Sequence, residues 1–292
     1  MIFRTTWHSR MDFMSVASNR IGAEMGKVNE QISTGKKINR PSDDPGLISQ
    51  LHSVREALSN QEVYSRNGGQ AEQLHNVVDV ALKDLHLTLS ESRELSVQFA
   101  NEHYNPSQRA EAATEADSLR DRLLTLANTQ FADRYVFAGT AYDAQAFDST
   151  GTYQGSTDEP ETVVGKDLTV ATGFDGSDML TGSSDMFTAL EDLTTALLAD
   201  DTAGITAAID QIDDALRDVE NAIVSLGGEM GRAGDAVDLS ENMSVELTGA
   251  KANLEEANVV EAYTRLVQLQ TNFEATMAAA AMQRYSGLFS RL

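Results

Sequence analysis

The 292-residue chain carries 45 Asp and Glu against 22 Lys and Arg, a formal net charge of −23. Such a balance repels nucleic acid and anionic lipid and argues against a polyanion-binding function. The absence of cysteine removes disulfides, thiol catalysis and cysteine-ligated metal sites. Aromatics make up only 6% of the chain, with 4 prolines and 1 tryptophan, so its apolar content is mostly aliphatic and alanine, which suits long helices better than a thick globular core.

The first ten residues contain no apolar core of the kind a cleaved signal needs, and no run approaches a membrane span. Any route out of the cytoplasm is therefore expected to bypass cleavable signals. Met11, Met14, Ser18, Ile21, Met25, Val28 and Ile32 alternate spacings of three and four, a heptad-like helical seam. Gly22 and Gly26 lie inside it, each costing up to about 1 kcal/mol of helix propensity, so this helix is expected to order only when packed. The following stretch from Ser33 to Gly46 contains glycines, Asn39, Pro41 and Pro45. It reads as a defined loop, with Asp43 or Asp44 capping a helix that Pro45 opens.

Leu47, Leu51, Val54 and Leu58, then Leu74, Val78, Ala81, Leu85, Leu89, Leu95 and Phe99, predict a long helix to about Ala100, with Gly68 and Gly69 as a possible interruption. Asn105-Pro106-Ser107-Gln108 is a helix start in which Asn caps and Gln reaches back; that helix is expected to end near Gln130. Between Arg134 and Leu180 the runs Tyr135–Ala138, Thr162–Val164 and Leu168–Thr172 predict a small β insertion. Asp185 or Ser184 starts a short helix through Leu198.

The most regular pattern follows: Ile205, Ile209, Ile212, Leu216, Val219, Ile223, Leu226, Met230, Ala233 and Val237 alternate four and three without a slip. Continued, the register passes through Ser240, Ser244, Leu247, Lys251 and Leu254. A helix unbroken from Thr202 to Asn253 would be about 80 Å long, a rod in which Gly227, Gly228, Gly231 and Gly234 either bend the axis or admit a neighbour. The seam is expected to cover its own domain's core against the helices at Leu74–Phe99 and Ala112–Leu126.

The chain closes on a second stripe: Val259, Ala262, Leu266, Leu269, Phe273, Met277, Ala281, Tyr285, Leu288 and Leu292, with Phe289 beside it. Its step of about 3.67 differs from the 3.5 of the first seam, which predicts that the two do not form one long regular supercoil. The two terminal stripes have little else to bury them, so self-assembly through them is the expectation.

Nothing in the sequence converges as catalytic chemistry. His8, His52, His75, His86 and His103 fall on different predicted elements without metal-ligand spacing. Asp175-Gly-Ser-Asp178 resembles a fragment of a calcium loop but lacks its remaining ligands and reads as a turn. No Walker, nucleophile-elbow or dinucleotide-binding motif is present, and acid pairs such as Glu255-Glu256 and Asp213-Asp214 read as solvated helix faces. The expectation is a protein that is not an enzyme and holds no cofactor or metal.

Three separated stretches carry a family resemblance. Gly35-Lys-Lys-Ile-Asn39-Arg-Pro41-Ser-Asp43-Asp44-Pro45 is similar to the N-terminal signature of the flagellin superfamily, and the prolines at 41 and 45 fit its hook–filament junction branch better than flagellin. Arg134-Tyr-Val-Phe-Ala-Gly-Thr140 resembles that family's entry into its β region, and Phe273 through Leu292 its C-terminal pattern. The resemblance implies a mainly α fold, an elongated flagellin-like helical rod with terminal coiled-coil helices and a small inserted β domain. It divides the chain into 1–42 plus 254–292 as the assembly region, 43–133 plus 184–253 as the rod and 134–183 as the insertion. It further implies an extracellular place in the bacterial flagellum, reached unfolded through type III export with a cytoplasmic chaperone on the C-terminal helices. The implied partners are hook-associated protein 1, flagellin subunits and further copies of the chain in a ring. A short flagellin, or a soluble coiled-coil module, are the other readings.

Overall fold

The computed structural model of the protein describes the backbone of residues 7–182 and 184–289, and side-chain surroundings for residues 12–182 and 184–282. The elements are α1 (Trp7–Thr34), α2 (Pro45–Phe99), α3 (Pro106–Ala127), β1 (Gln130–Phe131), β2 (Arg134–Tyr135), β3 (Glu161–Gly165), β4 (Leu168–Ala171), α4 (Gly176–Thr181), α5 (Met186–Leu198), α6 (Thr202–Glu255) and α7 (Val259–Phe289). The fold is mainly α with a small β insertion. It divides into two compact units, residues 1–59 with 244–292 and residues 60–243.

In the unit of residues 60–243 the core follows the long seam. Ile205, Ile212, Val219, Leu226 and Ala233 of α6 are buried, with Ile209, Leu216, Ile223, Met230 and Val237 half-buried between them. Ile205, Ile212, Val219 and Leu226, with Leu216, Ile223 and Met230, pack with Val78, Leu82, Leu85 and Leu89 of α2, Ala112, Ala116 and Leu123 of α3, and Leu190, Leu193 and Leu197 of α5, while Ala233 joins a smaller cluster with Ala71. Three fully buried phenylalanines, Phe137, Phe147 and Phe187, thicken one part of this core beyond what the aromatic-poor composition suggested. The Phe147 ring centroid lies 5.2 Å from that of Phe187, a tilted contact worth more than its buried area alone.

Caps decide where the helices begin. Asn105 accepts from the Gln108 amide and the Gln108 side chain answers to the Asn105 amide, a reciprocal capping box with Pro106 behind it. Asp185, rather than Ser184, caps α5 by accepting from the Phe187 amide. The α3 helix stops at Ala127, where the Asn128 side chain turns back to the Leu124 carbonyl and to Phe147. The Asp175–Asp178 stretch, expected as a turn, instead starts the short helix α4, because Asp175 accepts from the Ser177 amide and serves as its cap.

The β region is two separate hairpins. β1 and β2 pair antiparallel around Ala132 and Asp133, both at positive φ as a tight two-residue hairpin turn requires. Of the expected strand Tyr135–Ala138 only Tyr135 is in a strand. Val136 to Ala138 are buried in a turn whose backbone bonds run to Thr129, Phe174 and Gly176. β3 and β4 form the second hairpin, with Thr162 opposite Val170 and Val163 opposite Thr169. Alternation sends Val164 and Val170 onto Ala71 of α2 and Ala233 and Ala236 of α6, while Val163 stays 48% exposed.

Both long helices run without interruption. The Gly68 pause is a packing device: a Cβ there would lie 2.6 Å from Val237 Cγ2, so glycine lets α2 and α6 close up. Gly227, Gly228 and Gly231 have open space around them. We expect Gly68→Ala to destabilise by about 1–3 kcal/mol through overpacking. Gly228→Ala should stabilise by about 0.5–1 kcal/mol through helix propensity. Urea midpoints of the two variants check the pair, and equal shifts would contradict the close approach.

His75 of α2 is fully buried beneath β4, its Nε2 2.7 Å from the Ala171 carbonyl and its Nδ1 without a partner. Burial, the largest influence, pushes its pKa down against the Ala171 bond and nearby Glu72, which raise it. A depressed folded value means the unfolded chain binds the proton more readily. The stabilisation is therefore complete above the ordinary histidine range and is lost as pH falls toward the folded value. Urea unfolding at about pH 7.5 and pH 5.5 should show that loss, and His75→Asn should flatten it.

Candidate assembly interface

The other unit, residues 1–59 with 244–292, is built on α1 packed antiparallel against α7. Val28, Ala262, Leu266 and Leu269 are buried together, with Ile21, Met25 and Ile32 packed on them. On α1 the inward positions include Met14, Ser18, Ile21, Met25, Val28 and Ile32, at the spacing expected. On α7 they are Ala262, Leu266, Leu269, Phe273, Thr276 and Ala280.

That phase differs from the expected stripe. Met277 lies at the margin, 52% exposed with Sδ 4.0 Å from Ser18 Oγ; Ala281 is exposed, and Val259 is 48% exposed at the start of the helix. Over the described residues both helices therefore step four and three alternately, and the expected mismatch of periods is absent. The Ala278–Ala281 run explains the error, since four equal small side chains leave the helical phase unspecified and the α1 partner sets it. The side chains of Met11, Tyr285, Leu288 and Phe289, and the whole of Leu292, lie outside the described residues.

One end of the pair is closed by the loop between α1 and α2. Gly35 ends α1 at φ +68°, a left-handed position that glycine takes without steric cost. Its carbonyl accepts from the Ala257 amide at 2.9 Å, and the Lys37 amide donates to the Glu255 carbonyl at 2.7 Å, so the loop and the α6–α7 turn form a short antiparallel bridge. Asn39 Nδ2 donates back to the Lys36 carbonyl. Pro41 takes the second position of a turn closed by the Asp43 amide on the Arg40 carbonyl. Asp43 Oδ2 accepts from the amides of Asn39 and Arg40, and the Arg40 bond above all holds its carboxyl below the usual range. Asp44, not Asp43, caps α2 by accepting from Gly46 and Leu47, with Pro45 in the first turn. Ile38 and Leu51 bury the apolar side of this loop.

At its centre is a group that sequence reasoning placed on a solvated face. Glu255 is 5% exposed and meets Lys36 Nζ at 2.5 Å and Arg55 at 3.0 Å. Hydrogen bonding to Lys36, more than any other influence, lowers its pKa, with the charge of Arg55 adding to it. Its neighbour Glu256 is exposed, as the solvated reading expected. The available signal was positional: Glu255 directly follows Leu254, the last position of the long seam.

Outside the seam this unit exposes a second apolar set: Val260 (77%), Tyr263 (61%) and Val267 (44%) near the start of α7, and Phe13, Val16 and Met282 elsewhere on the two helices. Long apolar side chains are thus exposed on both helices outside their shared seam.

Residues 13–142 match the family described as bacterial flagellin N-terminal helical region. That span is similar to the flagellin N-terminal region. The matched span includes the α1–α2 loop with its staple and cap. Flagellar hook-associated protein 3 of Salmonella typhimurium is 35% identical over 135 residues, 46% of this chain and 43% of that protein, so the match spans less than half the relative's length. Flagellin of Listeria innocua is 22% identical over 262 residues, 89% of this chain and 88% of that protein. Among solved structures, flagellar hook-associated protein 3 from Legionella pneumophila superposes with a TM-score of 0.64 at 14% identity, covering 70% of this chain and 98% of that one. At that identity the likeness establishes the fold.

Proposed function

We propose that the chain is a structural adaptor of the bacterial flagellum that joins the hook-associated junction zone to the flagellin filament, without catalysis. The observation that carries the reading is the α1–α7 pair: a shared seam, a stapled loop at one end, and exposed apolar side chains left over on both helices. It is supported by the flagellin-type N-terminal region and by the similarity to hook-associated protein 3. In this reading the terminal regions 1–42 and 254–292 form the assembly part, 43–133 with 184–253 the rod and 134–183 an outward insertion. The partners are hook-associated protein 1, flagellin and further copies in a ring. The chain leaves the cell by flagellar type III export, its C-terminal helices held by a chaperone until then. Association orders the terminal helices further by burying their exposed apolar area, at roughly 25 cal/mol per Å².

Deleting residues 254–292 tests this. Cells carrying the deletion should secrete flagellin into the medium and build no filaments, and normal filaments would refute the junction role. The match to Listeria flagellin along most of both chains favours a second reading, a short flagellin. Purified chain seeded with filament fragments distinguishes them: long filaments of this chain alone would establish the second reading.

A further inference from the structure

Apart from its main core, the unit of residues 60–243 holds a small second cluster beneath the β3–β4 hairpin. Val164 and Val170 of the hairpin meet Ala71 of α2 and Ala233 and Ala236 of α6, and each of these helical partners offers a single methyl group. Two α2 side chains add polar ties to the hairpin backbone: Asn67 Nδ2 donates to the Val163 carbonyl at 2.9 Å, and His75 Nε2 lies 2.7 Å from the Ala171 carbonyl. The base is fixed more firmly. Ala171 and Phe174 join the main core, and the amides of Thr140, Gly139 and Phe174 donate to the carbonyls of Asp158, Phe174 and Val136. A firm base under a lightly held body gives the hairpin the character of a hinged flap.

We infer that this flap is released by acid: the β3–β4 hairpin lies closed on α2 and α6 while His75 is neutral, and lifts away when His75 takes a proton. The Ala171 carbonyl can only accept, so Nε2 carries the proton of the neutral ring and Nδ1 is a bare acceptor, buried with no partner. A proton on Nδ1 creates a buried donor and a positive charge that the closed packing does not satisfy. Burial accordingly lowers the proton affinity of His75. Opening lets water reach the charged ring, so proton uptake and opening are linked and acid favours the open form. The other charged groups on the packed elements are engaged or exposed. Asp79 of α2 pairs with Lys83, Glu161 of β3 accepts from Thr169, Asp175 caps α4, and Glu229 of α6 pairs with Arg232. Lys166 and Asp167 at the hairpin turn and Asp235 and Asp238 on α6 are exposed. Glu72, one turn before His75, raises the proton affinity of the ring without bonding to Nδ1, and its Oε1 lies alongside Gly234 of α6.

The chain has no cysteine, so one introduced thiol reports one position. Val170→Cys places it on the buried face of the hairpin, and Val163→Cys on the exposed face as the reference for intrinsic thiol reactivity. The ratio of their alkylation rates in the full chain, at about pH 7.5 and about pH 5.5, follows the open population. It should rise about five- to tenfold at the lower pH, tenfold being the limit for one proton taken up at the ordinary histidine affinity. His75→Gln keeps an N–H for the Ala171 carbonyl but does not titrate, and should hold the ratio constant, with native helix content by circular dichroism. His86, which meets Glu220, still titrates in that variant, so a ratio that rises there overturns the inference. A second readout needs no variant at position 75: by nuclear magnetic resonance the His75 ring should take up its proton over the same pH range in which the ratio rises. Protonation with a rise of less than about twofold would place the charged ring in the closed site beside Glu72, and overturns the inference.

Discussion

Asp200→Ala should lower the stability of the unit formed by residues 60–243 by about 2–3 kcal/mol, the cost of leaving a buried charge without its counter-ion, reduced because the Asp200 side chain is 42% exposed and Arg109 keeps two carbonyl partners. The buried charge is Arg109, only 4% exposed on α3. Its Nε donates to the Phe99 carbonyl at 3.1 Å and one terminal nitrogen to the Asn101 carbonyl at 2.9 Å, while the other pairs with Asp200. One guanidinium thus joins the end of α2, the loop after it and the turn between α5 and α6. Asp200 itself sits at φ +55°, where alanine is strained and asparagine is tolerated. Asp200→Asn therefore separates the two contributions, and a loss of roughly half is expected because the backbone position and one hydrogen bond survive. Chemical unfolding of both variants measures this. An alanine variant within about 1 kcal/mol of native would show that the clamp does not hold the unit together.

Glu255→Ala is the second large effect, and it is local. Removing the carboxylate deletes charged hydrogen bonds to Lys36 and Arg55, worth about 2–3 kcal/mol together. The figure stays below that of a fully buried pair because the side chains of Lys36 and Arg55 are 50% and 47% exposed and regain water. The consequence falls on the seating of α7, since the same turn carries the backbone bridge to Gly35 and Lys37. Hydrogen exchange should accelerate in α1 and α7 while the α6 amides at Ile205 to Leu226 keep their protection; uniform acceleration would contradict a local latch. The pH dependence has a fixed sign. Glu255 titrates below its ordinary value in the folded chain, so its stabilisation is full above the ordinary glutamate range and disappears as pH falls through the lowered folded value. Glu255→Gln should remove that acid sensitivity from α7 exchange.

Both effects rest on residues whose importance local pattern does not reveal. The α6 seam, the Asn105 capping box and the Asp44–Pro45 helix start were legible because each depends on neighbours within one or two helical turns. Arg109, Glu255 and His75 were not, because their partners stand 91, 200 and 96 positions away along the chain. A polar side chain on a helix has two stable outcomes, solvation or burial with a partner, and periodicity does not separate them. Glu255 and Glu256 are adjacent in the chain with opposite outcomes.

The same boundary runs through the candidate interface. By itself the sequence determined that both ends are amphipathic helices, that Met11 to Ile32 reads as one seam, seen from Met14 onward in the described residues, that a capped loop follows it and that a β insertion interrupts the helices. These follow from side-chain period and backbone preference, which are properties of short segments. Only the tertiary structure decided which face of α7 turns inward beyond Phe273, where alanines leave the phase open and contact with α1 supplies it. It also decided that Gly68 is a close approach of two helices, and that Glu255 is the anchor of the terminal pair. In each case the deciding energy comes from atoms that are neighbours only after folding.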